Sequence, residues 1–215
     1  MATKPLSKLQ FIFSALAPLW QNSINMKVIG INGSPRRKGN TSILINTVFE
    51  ELEKEGIETE FIQLGGKTVH GCTACGKCRE IKDSRCHIKN DFLNEVIAKM
   101  IEADGIILGS PVYFADITTE MKALIDVSGY VTRGNGHLLR RKIGAAVIVE
   151  RRGGALHAFE TINNFFLINQ MIVPGSSYWN FAFGGAIGDV LKDAEGMQTM
   201  RTLGENMAWL MKKLG

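Results

Sequence analysis

The chain contains four cysteines, and all of them lie in one short stretch as Cys72-x2-Cys75-x2-Cys78-x7-Cys86. Thiols at x2 intervals can wrap one small metal centre, because the turns between them are short, while the fourth must arrive from elsewhere. Four thiolates suit a [4Fe–4S] cube. Zinc is the second reading, held by four cysteines or by three plus His70 or His87, although zinc knuckles usually come as two well-separated Cys-x2-Cys pairs. A redox disulfide formed by one pair, or free thiols, complete the alternatives; His70 and His87 by themselves read as loop residues. A disulfide framework would spread cysteines through the chain, so the clustering points to a metal or cluster site in a reducing compartment, the cytoplasm.

A second concentration of chemistry follows the first apolar run. Asn32-Gly33-Ser34-Pro35-Arg36-Arg37-Lys38-Gly39-Asn40-Thr41-Ser42 combines two glycines, small hydroxyl and amide side chains and three cations. Gly33 and Gly39 let the backbone turn tightly and expose its N–H groups. The helix expected to begin here adds orphan donors and the positive end of its dipole. Ser34, Asn40, Thr41 and Ser42 supply further donors, and Arg36 supplies charge, which together suit a terminal phosphate. The loop lacks the Gly-Lys-Ser/Thr ending of a Walker loop and the Gly-x-Gly-x-x-Gly spacing of a dinucleotide fingerprint. The plainer reading is a Gly/Asn turn before an ordinary capped helix.

Two more loops fall where ligands would bind. Gly109-Ser110-Pro111-Val112-Tyr113-Phe114 ends an apolar run with aromatics that can wall a flat ring or simply cap the core. Glu150-Arg151-Arg152-Gly153-Gly154 ends another, and its arginines can meet a substrate phosphate, the edge of a ring, or only solvent.

These loops need elements to position them. Strand signals at 27–31, 57–63, 105–109, 143–149 and 171–173 alternate with helix signals at 41–55, from an Asp91 cap to about 103, at 116–128, 155–170 and about 194–213. Five such alternations predict an α/β protein, a parallel sheet with helices on both faces. In such sheets ligands bind beyond the carboxyl ends of the strands, at the point where strand order reverses. Those ends are where the three loops lie.

With 215 residues, 45% hydrophobic and 21% charged, the chain can bury a core without disulfide staples. A dispersed net charge of +4 gives no nucleic-acid footprint, and no run reaches the roughly 18 apolar residues a bilayer requires. Residues 1–25 faintly resemble a secretory leader, with Lys4 and Lys8 before Leu9–Trp20. Pro18 stands where cleavage would fall, so this segment reads as an ordered extension packing its apolar face on the core or on another subunit.

Gly-Ser-Pro-Arg-x-x-Gly-Asn-Thr (33–41), Gly-Ser-Pro-Val-Tyr (109–113), the compact cysteine motif, Ser-Tyr-Trp-Asn (177–180) and Glu195-Gly196 resemble the NADPH-dependent FMN reductase superfamily, in its iron–sulfur flavoprotein branch, over residues 26–214. The resemblance implies a flavodoxin-like three-layer fold, strand order 2-1-3-4-5, and one FMN per subunit. It further implies a homodimer or homotetramer with the flavin near a subunit interface. By position, Ser34, Arg36, Gly39, Asn40, Thr41 and Ser42 hold the FMN phosphate, and Pro111, Val112, Tyr113 and Phe114 line the flavin. Glu150, Arg151, Gly153 and Gly154 approach the isoalloxazine, and Cys72, Cys75, Cys78 and Cys86 bind a [4Fe–4S] cluster. The flavin then carries the chemistry without a catalytic side chain. NAD(P)H or a ferredoxin-type protein is the expected donor. A cluster-free FMN or quinone reductase and a zinc-stabilised binding module are the competing readings.

Overall fold

The computed structural model describes residues 26–88 and 92–215; the N-terminal extension and the expected Asp91 cap lie outside them. Strand β1 (Lys27–Asn32) pairs in parallel with β2 (Glu58–Gln63) on one side and with β3 (Gly105–Pro111) on the other. Next come β4 (Ile143–Glu150) and the short edge strand β5 (Phe181–Phe183), completing a five-stranded sheet in the order 2-1-3-4-5.

Alternation along the strands feeds two cores. Ile29, Ile31, Ile106, Leu108, Ala146 and Ile148 face one side. There they meet helices α3 (Leu93–Glu102), α4 (Thr119–Gly134) and α5 (Ala155–Ile168). Val28, Ile107, Ala145 and Val147 face the other, where α1 (Asn40–Lys54) and α6 (Ala194–Leu214) lie. A sheet covered on both faces has apolar residues at nearly every interior position, as β3 and β4 do. Among the described residues, no helix is long and apolar enough to cross a membrane.

Helix α1 lies close on the sheet because Gly109 has no side chain. A Cβ there would stand 2.6 Å from Ile45 Cδ1 and 3.0 Å from Thr41 Cγ2. Gly109→Val is therefore expected to overpack this contact and lower stability by about 1–3 kcal/mol, read as a shifted urea midpoint.

On the opposite edge, Glu60 accepts hydrogen bonds from Lys27, at 2.7 Å, and from Lys99, at 2.6 Å. Lys27 first, and then Lys99, hold its carboxyl below the usual value. A lowered folded-state value gives a contribution that is complete above the unfolded carboxylate's pKa and disappears as pH falls through the folded one. Glu60→Gln is expected to flatten that acid limb in urea midpoints measured across a pH series.

The fifth strand requires a correction. The apolar run 171–173 contributes a single bridge, Ile172 to Ile143, and the paired strand is Phe181–Phe183. Ile172 donates to Lys142 O and accepts from Gly144 N–H, but Pro174 then has no N–H to continue a ladder. The chain returns to β4 only where Ile148 N–H donates to Asn180 O. Helix α4 also begins later than 116, because Thr118 is its N-cap: the Thr118 hydroxyl accepts from Met121 N–H. Helix α2 (Lys77–Ile81) inside the cysteine loop and the 3-10 turn Asp189–Lys192 carried no periodicity long enough to read in the sequence.

Candidate functional site

The carboxyl ends of β1, β3 and β4 open into one cleft of about 190 Å3. Ser34, Arg36, Asn40 and Thr41 line it from below, Pro111, Val112, Tyr113 and Val149 from one wall, and Arg151, Gly184 and Gly185 from the other. It straddles β1 and β3, where the strand order reverses.

The floor is fixed by backbone-directed bonds. Gly33 N–H donates to Gly109 O at 2.7 Å, and the Thr118 hydroxyl donates to Gly33 O at 2.9 Å. Asn32 Oδ1 accepts from Ser34 N–H, while Gln63 Nε2 donates to Ser34 O at 2.7 Å. Gly65 passes so near that a Cβ there would stand 2.3 Å from the Ser34 carbonyl. Ser34 thus presents its hydroxyl from a rigid turn.

At the start of α1, Gly39 takes the N-cap position without a side-chain cap, which leaves the first-turn N–H groups directed at the cleft floor. Thr41 is 1% exposed, and its methyl group faces Gly109. Its hydroxyl makes no hydrogen bond among the described residues. An uncapped helix N-terminus, an unengaged hydroxyl and the Arg36 guanidinium together fit a phosphate. Ser42, in contrast, donates its hydroxyl to Gly39 O at 2.8 Å and is spent within the turn.

Asn40 acts as a clamp. Its Nδ2 donates to Ala186 O and its Oδ1 accepts from Gly188 N–H, each at 2.7 Å, fastening the loop after β5 over the helix start. Arg36 adds a longer bond to Gly185 O at 3.4 Å. Gly184 and Gly185 were missed in the sequence because the fifth strand was set too early, and no residue near 184 signals a site by type.

Expected ring contacts divide. Pro111, Val112 and Tyr113 line the cleft, but Phe114 points fully into solvent. Phe114 and Ala115 both adopt positive φ, 47° and 65°, in a tight turn closed by paired bonds between Tyr113 and Asp116. Such a turn normally uses Asn or Gly. Arg151 lines the cleft, whereas the buried Glu150 carboxylate accepts from Ala155 N–H at 3.0 Å and caps α5. Gly154, at φ 99°, lies under the turn, where a Cβ would stand 3.0 Å from Ala115 Cα, and neither it nor Gly153 lines the cleft.

The cysteine loop leaves β2 and packs against the start of α3 and the end of α4. Cys72 and Cys75 are exposed, and Cys78 and Cys86 are half-buried against the core. Cys72 Sγ accepts from Ala74 N–H at 3.4 Å. The Lys77 backbone N–H, followed by the Thr73 hydroxyl, pulls the Cys75 thiol below its ordinary value. Burial, then the charges of Cys72 and Cys75, push Cys78 up. N–H and O–H donors thus favour the thiolate at Cys75, whereas Cys78 keeps its proton more tightly until a soft metal ion displaces it. No group of three His, Cys, Asp or Glu side chains is gathered as a metal site among the described residues.

Fold and cleft together define a flavodoxin-like α/β protein, and solved structures agree. An archaeal flavodoxin superposes with a TM-score of 0.58 at 17% identity, covering 87% of this chain and 99% of that one. A WrbA-like flavodoxin from Agrobacterium tumefaciens gives 0.61 at 13% identity, covering 88% and 98%. Residues 26–186 match the model of the NADPH-dependent FMN reductase family, and the chain belongs to that family. An iron-sulfur flavoprotein of Methanocaldococcus jannaschii is 44% identical over 87% of this chain and 98% of its own length. An iron-sulfur flavoprotein of Methanosarcina thermophila is 37% identical over 81% and 90%.

Proposed function

We propose that this chain is an FMN-dependent oxidoreductase carrying electrons from NAD(P)H, or from a ferredoxin-type protein, to a small-molecule or protein acceptor. A [4Fe–4S] cluster held by Cys72, Cys75, Cys78 and Cys86 would work beside the flavin, in a homodimer or homotetramer in the cytoplasm. The observation that carries the flavin half is the cleft floor: an uncapped helix N-terminus, an unengaged Thr41 hydroxyl and Arg36 at the strand-order switch of an FMN reductase family member. When bound, FMN supplies chemistry that couples hydride donors to one-electron carriers. Ser34, Thr41 and the α1 N–H groups hold the phosphate, and Arg36 balances its charge. Pro111, Val112 and Tyr113 form the apolar wall, while Arg151, Gly184 and Gly185 close the polar side. Asn40 holds that side shut.

Four cysteines on one loop, two of them seated against the core, and the relatives' iron-sulfur names support the cluster. A second reading, a cluster-free NAD(P)H-dependent FMN or quinone reductase, is favoured by the ungathered thiols. Anaerobic purification followed by an absorption spectrum and FMN, iron, sulfide and zinc analysis separates these readings. Iron and sulfide together with flavin support the first. Full activity with all four cysteines replaced by serine selects the second. One equivalent of zinc without flavin selects the binding module and overturns both.

A further inference from the structure

Two asparagines on neighbouring helices end their hydrogen bonds on the backbone of cysteines. Asn94, in the first turn of α3, accepts from Cys86 N–H through Oδ1 and donates to Cys86 O through Nδ2, each at 2.7 Å. Its amide reads both polar groups of that one residue, so a carboxylate cannot replace it: the donor to Cys86 O would become a repelled oxygen. Asn135, the C-cap of α4, donates from Nδ2 to Cys78 O at 3.0 Å and to Val131 O at 2.7 Å, and its Oδ1 accepts from Ser84 N–H at 3.1 Å.

The interval between these two cysteines is itself strained. Lys82 and Ser84 adopt φ of 56° and 62°, unfavourable for residues with a Cβ. A turn of this kind persists only where its surroundings hold it, and the Asn135 bonds to Cys78 ahead of it and to Ser84 within it do so. Arg79 adds a stacking contact over Tyr130 of α4, 4.6 Å from the ring centroid. The other two cysteines, Cys72 and Cys75, are exposed and precede this anchored portion in the chain.

We infer that Asn94 and Asn135 are positioning residues of the cysteine loop: they fix Cys78 and Cys86 as a preset half-site, around which the exposed Cys72 and Cys75 complete a thiolate centre. The inference rests on the thiolate reading proposed above. The asparagines touch no metal and act through the cysteine backbone, as residues outside a ligand set tune it.

The test uses the full chain, as parent, Asn94→Ala and Asn135→Ala. Each is reconstituted anaerobically with ferrous iron and sulfide. Iron per FMN, the rate of iron release to a chelator and the electron paramagnetic resonance spectrum of the reduced protein are then measured. Metal-free samples are alkylated with iodoacetamide and each cysteine is followed by mass spectrometry. Either substitution is expected to leave FMN content unchanged, to speed iron release about 10- to 100-fold and to alter the resonance spectrum. In the metal-free chain, alkylation should rise at Cys78 and Cys86 but not at Cys72 and Cys75. Unchanged release and alkylation overturn the inference. So does loss of FMN along with iron, which would mark the asparagines as general folding residues. If the parent takes up no iron or sulfide, the thiolate reading falls, and the alkylation pattern alone still decides whether the asparagines position Cys78 and Cys86.

Discussion

Replacing Thr41 with valine is expected to weaken FMN binding about 10- to 100-fold while leaving the flavin-free protein close to the parent in stability. The two effects differ for one reason. Thr41 is almost wholly buried, its methyl group is packed against Gly109, and its hydroxyl makes no hydrogen bond among the described residues. Valine keeps the methyl and replaces the hydroxyl with another, so the helix start loses no packing. It also removes a hydroxyl that makes no hydrogen bond to the protein and opens onto the cleft, which is close to neutral in the flavin-free chain. The bound state differs. A hydrogen bond to a charged acceptor contributes about 1.5–3 kcal/mol, a factor of roughly 10 to 100 in affinity. Flavin fluorescence titration gives the binding constant, and thermal melts with and without FMN give the stabilities. Equal FMN affinity in parent and variant would remove Thr41 from the phosphate site.

Asn40→Asp is expected to produce the larger combined loss, lowering FMN affinity more than tenfold and loosening the loop after β5. In the parent, Nδ2 donates to Ala186 O and Oδ1 accepts from Gly188 N–H. Aspartate retains the second bond but turns the first into a repulsion between two oxygens. It also brings a negative charge to the helix N-terminus at the floor proposed for the phosphate dianion, where two like charges share one small field. Lowering pH to protonate the new carboxyl should recover part of the affinity, a signature that simple loss of a clamp, as in Asn40→Ala, does not share. Binding constants for both variants at several pH values provide the comparison. Identical pH profiles would show that Asn40 acts as a clamp alone.

Both predictions concern residues whose type the sequence exposed and whose role it assigned only in part. Ser34, Arg36, Asn40 and Thr41 were legible because two glycines, small polar side chains and a helix start occur together after a strand. The division of labour among them was not, because Asn40 finds its partners 146 and 148 residues away. The parallel sheet was readable from the βα alternation and its strand order was expected from the family resemblance, while the position of β5 was not readable. An apolar Met-Ile-Val run resembles a strand better than Phe-Ala-Phe does, and only Pro174 hints that it cannot continue. Phe114 was unreadable for a different reason. Its outward position depends on a turn with two positive φ values, built from residues that ordinarily avoid them. Asn94 and Asn135 look like any polar residues on helices, since what they bind is backbone, which leaves no mark in the sequence.

The Asn40 clamp also orders events during synthesis. The floor of the cleft is encoded near residue 40, but the loop it fastens is completed only beyond Gly188, and helix α6, which covers α1, comes later still. At roughly 5–20 residues per second, the ribosome takes about 7–30 s to cross that interval. A nascent chain therefore carries an open cleft floor and an uncovered apolar face long before the far wall exists. Cofactor capture must then be one of the last steps in the maturation of the chain, and a C-terminal truncation before residue 188 should yield a polypeptide that cannot retain flavin even where its first three strands have paired.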